Sequence, residues 1–361
     1  MIREYGSEFT EKEPQKAECR LFQEERVYEY LLGRTALDAI VQDIISEFKI
    51  ENVFLPSYCC HTMIHPFLRH GLKVEFYDMV LAESGGLTYC IDLNRNFDVI
   101  LIMQYFGFYN PDAAQLITRL KQYGKIVIED ATHSILQQSP YSKESDYVFA
   151  SYRKWMAIRG GAIVIKRAGA MGKETTDLAD GPVVRNRYLA LKSRAIAEKK
   201  DYFHKEKTSE KMYLELFHEA ESMIEEEYAG FDIDEESAEI IHFTDYERIQ
   251  TIRRNNARCL LDRLGELPHM KLMFREVTVR DVPLFVPICM KEQDRLSLRQ
   301  YLISNHIYLP IHWPISELHD VTDTGKQLFE SELSVICDQR YDIEDMEHIA
   351  LMIRKWAEKN G

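Results

Sequence analysis

The chain has 361 residues, 45 Lys and Arg against 59 Asp and Glu, and a formal net charge of −14. Hydrophobic residues make up 45% of it, enough for a large buried core and against intrinsic disorder. The acidic balance argues against a binder of nucleic-acid backbones, which needs a basic surface. The longest apolar run, Val99 to Met103, is strand-sized, far below the roughly 18 residues that cross a bilayer. The opening Met1-Ile2-Arg3-Glu4-Tyr5-Gly6-Ser7-Glu8 has no apolar core behind its charge and does not read as a secretory signal. Seven cysteines without CxxC spacing fit reduced thiols in the cytoplasm better than a disulfide framework or a metal site.

Strand candidates, in chain order, are Asn52 to Pro56, Lys73 to Met79, Asp98 to Phe106, Lys125 to Glu129, Tyr147 to Ser151 and Gly161 to Lys166. Several are continuously apolar, as expected of strands buried on both faces of a largely parallel sheet. A helix is predicted after Gly33-Arg34-Thr35, where Leu37, Ile40, Val41, Ile44, Ile45 and Phe48 share one face. Strand and helix in alternation predict an α/β fold with ligands at the carboxyl ends of the strands. Residues 168–230 are dense in Lys and Glu at helical spacing and read as solvated helices. From about Asp245 a long helix leads into a second α+β unit holding Val282 to Cys289, Arg295 to Ser304, Ile307 to Pro314 and a last helix from about Ile343. The predicted division is an N-terminal segment 1–30, a large domain 31–244 and a small C-terminal domain 245–361.

Four clusters could carry chemistry, each at the end of a predicted element. Gly33-Arg34-Thr35-Ala36 opens an amphipathic helix, whose free N–H groups and dipole suit a phosphate; Thr35 could instead only cap the helix. Tyr58, just past a strand, could stack on a planar ligand or serve as rim packing. In Glu129-Asp130-Ala131-Thr132-His133, a buried strand delivers Asp130 to its carboxyl end with His133 three residues on. A carboxylate there needs a cationic partner such as a pyridinium nitrogen, or caps the following turn. In Ser151-Tyr152-Arg153-Lys154, a lysine closes an apolar strand. Desolvation and the neighbouring Arg153 would lower its pKa and make the amine a nucleophile, whereas a solvated rim lysine is the alternative.

With these clusters the chain resembles the fold type I pyridoxal-phosphate enzymes, and among them the DegT/DnrJ/EryC1/StrS aminotransferases. The resemblance rests on Gly33-Arg34-Thr35-Ala36-Leu37, Leu55-Pro56-Ser57-Tyr58, Tyr105-Phe106-Gly107, Glu129-Asp130-Ala131-Thr132-His133, Ser151-Tyr152-Arg153-Lys154 with Gly160-Gly161, and Pro310-Ile311-His312-Trp313-Pro314. It implies a large domain with a mostly parallel central sheet plus a smaller α+β domain, and pyridoxal 5′-phosphate as cofactor. It further implies Lys154 as the internal-aldimine lysine, Asp130 as partner of the pyridine nitrogen and His133 as partner of O3′. Tyr58 would stack on the ring, unless the stacking position is that of Cys60. Thr35, Ala36 and Ser151 would hold the phosphate beside Arg34, and Gln104 would face the same cleft. Arg153, Arg159, Arg34 and His312 are candidates for a substrate carboxylate or phosphate. The implied activity moves an amino group from an amino-acid donor to a keto acceptor, sugars and nucleotide sugars among them, in a homodimer with active sites at the interface. A different pyridoxal-phosphate reaction, or a non-catalytic binding or regulatory role, uses the same residues. Three features depart from the family: Lys154 follows Ser151 by three positions rather than five, Ile158-Arg159-Gly160-Gly161 stands for Gly-Glu-Gly-Gly, and no Asn-Tyr-Arg stretch follows.

Overall fold

The computed structural model describes residues 3–16, 18, 21–22, 25–172, 181–204, 211–265 and 267–360. Parts 173–180 and 205–210 of the charged stretch, and Met1 and Ile2 of the opening, lie outside them. In chain order the strands are β1 (Tyr5–Gly6), β2 (Val27–Tyr30), β3 (Asn52–Pro56), β4 (Lys73–Leu81), β5 (Leu87–Cys90), β6 (Val99–Met103), β7 (Ile126–Asp130), β8 (Tyr147–Ser151), β9 (Ala162–Lys166), β10 (Met270–Leu272), β11 (Phe285–Met290), β12 (Ile307–Tyr308) and β13 (Glu332–Ile336). The helices are α1 (Gly33–Glu47), α2 (His65–Arg69), α3 (Pro111–Gln122), α4 (Gly181–His204), α5 (Met212–Met223), α6 (Glu235–Phe243), α7 (Tyr246–Leu264), α8 (Glu292–Ser304), α9 (Asp323–Ser331) and α10 (Ile343–Asn360). Among the described residues no helix is long and apolar enough to cross a membrane.

The chain divides into two compact units. The first comprises residues 1–3, 8–49 and 149–245, and the second residues 4–7, 50–148 and 246–361. Strand β8 begins in the second with Tyr147 and Val148 and ends in the first with Phe149, Ala150 and Ser151.

In the second unit, a mostly parallel sheet runs in the order β7-β6-β3-β4-β5. β3 pairs parallel with β4 and β6, β6 pairs parallel with β7, and only β5 is antiparallel, on the edge. All five residues of β6 are buried, which accounts for its unbroken apolar run. The chain leaves β3 toward β4 on one side and returns to β6 on the other. The carboxyl ends of β3 and β6 therefore flank a topological switch point, where open α/β sheets bind ligands. A smaller antiparallel sheet, β10-β11-β13, packs with α7, α8 and α10 around Leu260, Leu264, Val286, Ile288, Leu298 and Ile353.

In the first unit, β2 pairs antiparallel with β9, and the strand order is β2-β9-β8. Helix α1 buries Leu37, Ile40, Val41 and Ile44, whereas Ile45 and Phe48 stay 38% and 48% exposed, outside the stripe predicted for them. The charged stretch contains α4 and α5, which carry part of this unit's core. Tyr188, Leu189, Ala220 and Ile224 pack against Leu31 and Leu32, so these helices are not solvated all round.

Candidate active site

Within the first unit, the residues around α1 and β8 form one constellation. The amide of Ala36 bonds Leu32 O at 2.9 Å, so the N–H groups at the start of α1 precede the helix's own hydrogen-bond ladder. The N-cap residue is Leu32, whose side chain cannot cap this end. A Cβ on Gly33 would lie 3.3 Å from Cβ of Ser151, which places the Ser151 hydroxyl beside the helix start. Gly160 makes this approach possible, because a Cβ there would meet Leu31 Cδ1 at 2.3 Å and Leu31 O at 2.7 Å. Gly161 N–H then bonds Leu31 O at 2.6 Å, fastening β8's return to the residue that leads into α1. The helix dipole, outward amides and a hydroxyl make a cradle suited to a phosphate.

Thr35 is not part of that cradle through its side chain. It is fully buried at the third helical position, and its hydroxyl donates to Tyr228 O at 2.5 Å. The sequence expectation that Oγ1 either caps α1 or donates to an anion is corrected: the proton is committed to the Tyr228 carbonyl. Arg34 likewise turns to its own unit, its guanidinium donating to Ile224 O and Glu225 O at 2.8 Å each and lying over the Tyr228 ring. It satisfies the carbonyls that α5 leaves open at its carboxyl end.

Lys154 is half-buried in a short 3₁₀ turn, Tyr152–Lys154, directly after β8. The turn is closed by Tyr152 N–H to Gly161 O and Trp155 N–H to Tyr152 O, both at 2.9 Å, and anchored by the fully buried Trp155. Arg153 bonds Tyr188 Oη and Glu221 Oε1 at 2.8 Å, and Lys192 joins the same carboxylate at 3.1 Å. Burial opposes the Arg153 charge, but Glu221, Tyr188 and Glu8 together more than offset this and the guanidinium pKa is raised. Burial alone would raise Glu221 as well; Arg153 and Lys192 instead hold it down at about 2. Arg159 pairs with Asp234 and with Glu236 at 2.8 Å, and its carbonyl accepts from Tyr188 Oη. Both arginines are thus engaged by carboxylates of their own unit.

Within the second unit, the carboxyl ends of β3, β6 and β7 carry Tyr58, Gln104 and Asp130. Asp130 is buried, its Oδ1 accepting Thr132 N–H at 2.8 Å while its carbonyl accepts Gln104 N–H at 3.1 Å. His133, fully buried, accepts Phe106 N–H on Nδ1 at 3.2 Å. An amide N–H can only donate, so the neutral ring carries its proton on Nε2. The ring stacks on Trp313, with centroids 5.7 Å apart.

Gln104 lies on the other face. Ile102 pairs with Glu129 and Met103 with Asp130, and directly paired residues of adjacent strands share a face, so Gln104 follows Glu129. Its Nε2 donates to Glu129 Oε1 at 2.9 Å, and Ser142 N–H and the Ser145 hydroxyl serve Oε2. The expectation that Gln104 shares a cleft with Asp130 is corrected: its amide serves a buried carboxylate. Tyr58 is also differently placed from its expected role. It is 0% exposed, with its ring between Tyr105, Trp313 and Phe329 at 5.8, 5.1 and 5.0 Å, so it fills the core rather than offering a stacking surface. Burial raises its phenol well above the ordinary range, and the Glu332 carboxylate adds to this.

His312 is buried beside Phe106, His133 and Trp313. Its backbone N–H bonds Glu332 Oε2 at 2.8 Å, and Nδ1 meets Ser334 Oγ at 2.9 Å. Sequence reasoning missed Glu332 and Ser334, because no local motif joins residues twenty positions apart in chain order.

No protein-family model matches the chain, and no curated protein sequence does. Solved structures do share its architecture. PseC of Helicobacter pylori, an aminotransferase involved in the biosynthesis of pseudoaminic acid, has a TM-score of 0.66 at 12% identity over 98% of this chain and 100% of that one. NtdA from Bacillus subtilis, with bound cofactor PMP, has a TM-score of 0.64 at 14% identity over 92% of this chain and 74% of that one. A DegT DnrJ EryC1 StrS aminotransferase from Brucella abortus has a TM-score of 0.58 at 15% identity over 92% and 86%. At such identities what is shared is the fold. The chain therefore shares the fold of these aminotransferase structures.

Proposed function

We propose that the protein is a pyridoxal-phosphate-dependent aminotransferase that moves an amino group from an amino-acid donor to a small keto acceptor, a sugar or nucleotide sugar among them. The observation that carries this reading is the cradle at the start of α1, where Gly33 leaves room for the Ser151 hydroxyl beside outward-facing amides. It occurs in a chain with the fold of known aminotransferases. Each unit holds groups that suit one part of the cofactor: in the first, the α1 amides and Ser151 would take its phosphate, and in the second, the Asp130 carboxylate would take its pyridinium nitrogen and the Nε2–H of His133 its phenolic oxygen. When bound, the cofactor supplies the electron sink for a carbanion at the substrate carbon. Asp130 would hold the proton on the ring nitrogen, and Lys154 would bind the cofactor through Nζ and serve there as the general base. A cytoplasmic homodimer with sites completed across its interface is part of the same reading and rests on the family resemblance.

Pyridoxal phosphate added to the purified protein, followed by borohydride reduction and peptide mapping, tests the assignment. The expected result is a visible absorption band and a pyridoxyl group on Lys154, both reduced to background in Lys154→Ala. An adduct on another lysine removes Lys154 from its role, and no adduct at all leaves only the fold in common. A second reading, a cofactor-binding regulator, is favoured by the engagement of Arg34, Arg153 and Arg159 within their own unit. Cofactor capture without turnover over a panel of amino donors would establish it.

A further inference from the structure

Glu332 and Ser334 are both 0% exposed on one face of β13, and neither belongs to the sequence motifs. A carboxylate in such a position needs donors. Oε2 receives the His312 backbone N–H at 2.8 Å, and Oε1 receives the Ser334 hydroxyl at 2.5 Å. A serine has one hydroxyl proton, and here it goes to Glu332. Ser334 Oγ can therefore only accept from the ring nitrogen 2.9 Å away, so Nδ1 of His312 must be the protonated nitrogen. In the neutral ring Nε2 is then an acceptor, and among the described residues no hydrogen-bond partner meets it. His133, whose ring centroid lies 5.8 Å away, is held in the opposite tautomer by the Phe106 amide. Two neighbouring imidazoles are thus set as one donor and one acceptor by unrelated backbone and side-chain partners.

We propose that Glu332 and Ser334 are positioning residues that hold His312 with its proton on Nδ1, so that Nε2 receives a hydrogen bond or a proton from a substrate hydroxyl or ammonium group. This reverses the sequence expectation that His312 binds a carboxylate or phosphate, since a lone pair repels an anion. Only the identity of the group as substrate rests on the transamination reading; the tautomer is a property of the chain alone.

The test is a two-bond proton–nitrogen spectrum of protein carrying ¹⁵N-labelled histidine, recorded without cofactor, with His312→Gln assigning the signals. The expected pattern has Nδ1 proton-bearing and Nε2 acceptor-type in His312, and the reverse in His133. Ser334→Ala should move the His312 tautomer ratio by about tenfold or more toward Nε2–H, and Ser334→Thr should restore it, because the lost link is a hydrogen bond relayed to a carboxylate. A proton on Nε2 in the wild-type protein overturns the proposal. So does an unchanged ratio in Ser334→Ala, which is what a merely structural hydroxyl would give. Should Ser334→Ala not fold, the wild-type spectrum and the Thr variant still decide. Titration at fixed pH with ethanolamine and with acetate reads the ligand class. Movement of the Nε2 resonance with ethanolamine is expected, and movement with acetate alone or with neither overturns that assignment. Failure of the borohydride experiment with the tautomers as stated would sink the transamination reading and leave the relay standing.

Discussion

Glu221 shows how single side chains in the first unit are held by charge. Its carboxylate receives Arg153 and Lys192, and although burial works to raise its pKa, these cations keep it at about 2 against an ordinary 4.5. A carboxyl whose pKa is lower folded than unfolded stabilises fully above its unfolded value and loses that contribution as pH falls toward its folded value. The stability difference between the wild-type protein and Glu221→Gln should therefore be largest above about pH 4.5 and shrink between there and pH 2. Urea unfolding at several pH values measures it. Because the Glu221 side chain is 44% exposed, the difference should also shrink in high salt; a gap independent of both pH and salt would show that the pairs contribute nothing to stability. Such partnerships also mark what was legible at this scale. Asp130 and His133 stood out together in the sequence because Asp130 ends one apolar strand and His133 lies three residues on. The side-chain partners of Thr35, Gln104 and Tyr58, namely the Tyr228 carbonyl, Glu129, and the rings of Trp313 and Phe329, were not legible because they come from elements that spacing does not connect.

At the scale of elements, the turn after β6 arranges the groups at the carboxyl ends of the second unit's strands. Phe106 and Gly107 both have positive φ, 56° and 79°. In that conformation Phe106 N–H points at His133 Nδ1, while Phe106 O and Gly107 O accept Leu284 N–H at 2.8 Å and Val282 N–H at 3.0 Å. A Cβ on Gly107 would stand 2.1 Å from Val282 O and 2.8 Å from Leu284 N, so backbone must move to admit it. Gly107→Ala should cost at least about 1–3 kcal/mol in urea unfolding, adding left-handed strain to overpacking, and should disturb the tautomer signals of His133. A variant as stable as wild type would mean that the turn can relax without cost. The strands with unbroken apolar runs, β3 and β6 to β9, were readable in advance because burial on both faces leaves no polar position to confuse the pattern. β5 escaped notice because only Leu87 of its four residues is buried, at a sheet edge. β13 escaped because Glu332 and Ser334 break its apolar run on a buried face. Between Ile307 and Pro314 only two residues form a strand, since Pro310 and Pro314 have no N–H to give a ladder.

For the whole molecule, the chain passes five times from one compact unit to the other, so neither unit can be cut out as one contiguous piece. The segment 245–361, expected from sequence as a separate small domain, nevertheless carries a core of its own inside the second unit. Leu260, Leu264, Val286, Ile288, Leu298, Leu333, Val335, Ile349 and Ile353 are all fully buried together, and Tyr5 is the one buried member of that cluster supplied from elsewhere. Two of the segment's buried polar side chains are matched from within it. Arg253 donates to Gln339 Oε1 and to the carbonyls of Pro283 and Leu284, and Asn256 Nδ2 donates to Tyr341 O at 2.9 Å. Its length is well above the roughly 40 residues below which domains need external staples. The segment expressed alone should show helical circular dichroism and a single cooperative urea transition. That transition should fall at lower urea than in the full chain, because excision removes the β1–β12 pairing, the Tyr5 side chain and its 3.2 Å hydrogen bond to Asp345. Loss of a buried aromatic of this kind is worth about 3–5 kcal/mol. Adding back a peptide that carries Tyr5 and its neighbours should recover part of the difference. A broad, non-cooperative transition, with or without the peptide, would instead show that this core closes only when the β7-β6-β3-β4-β5 sheet is present, and that the second unit is one folding body throughout.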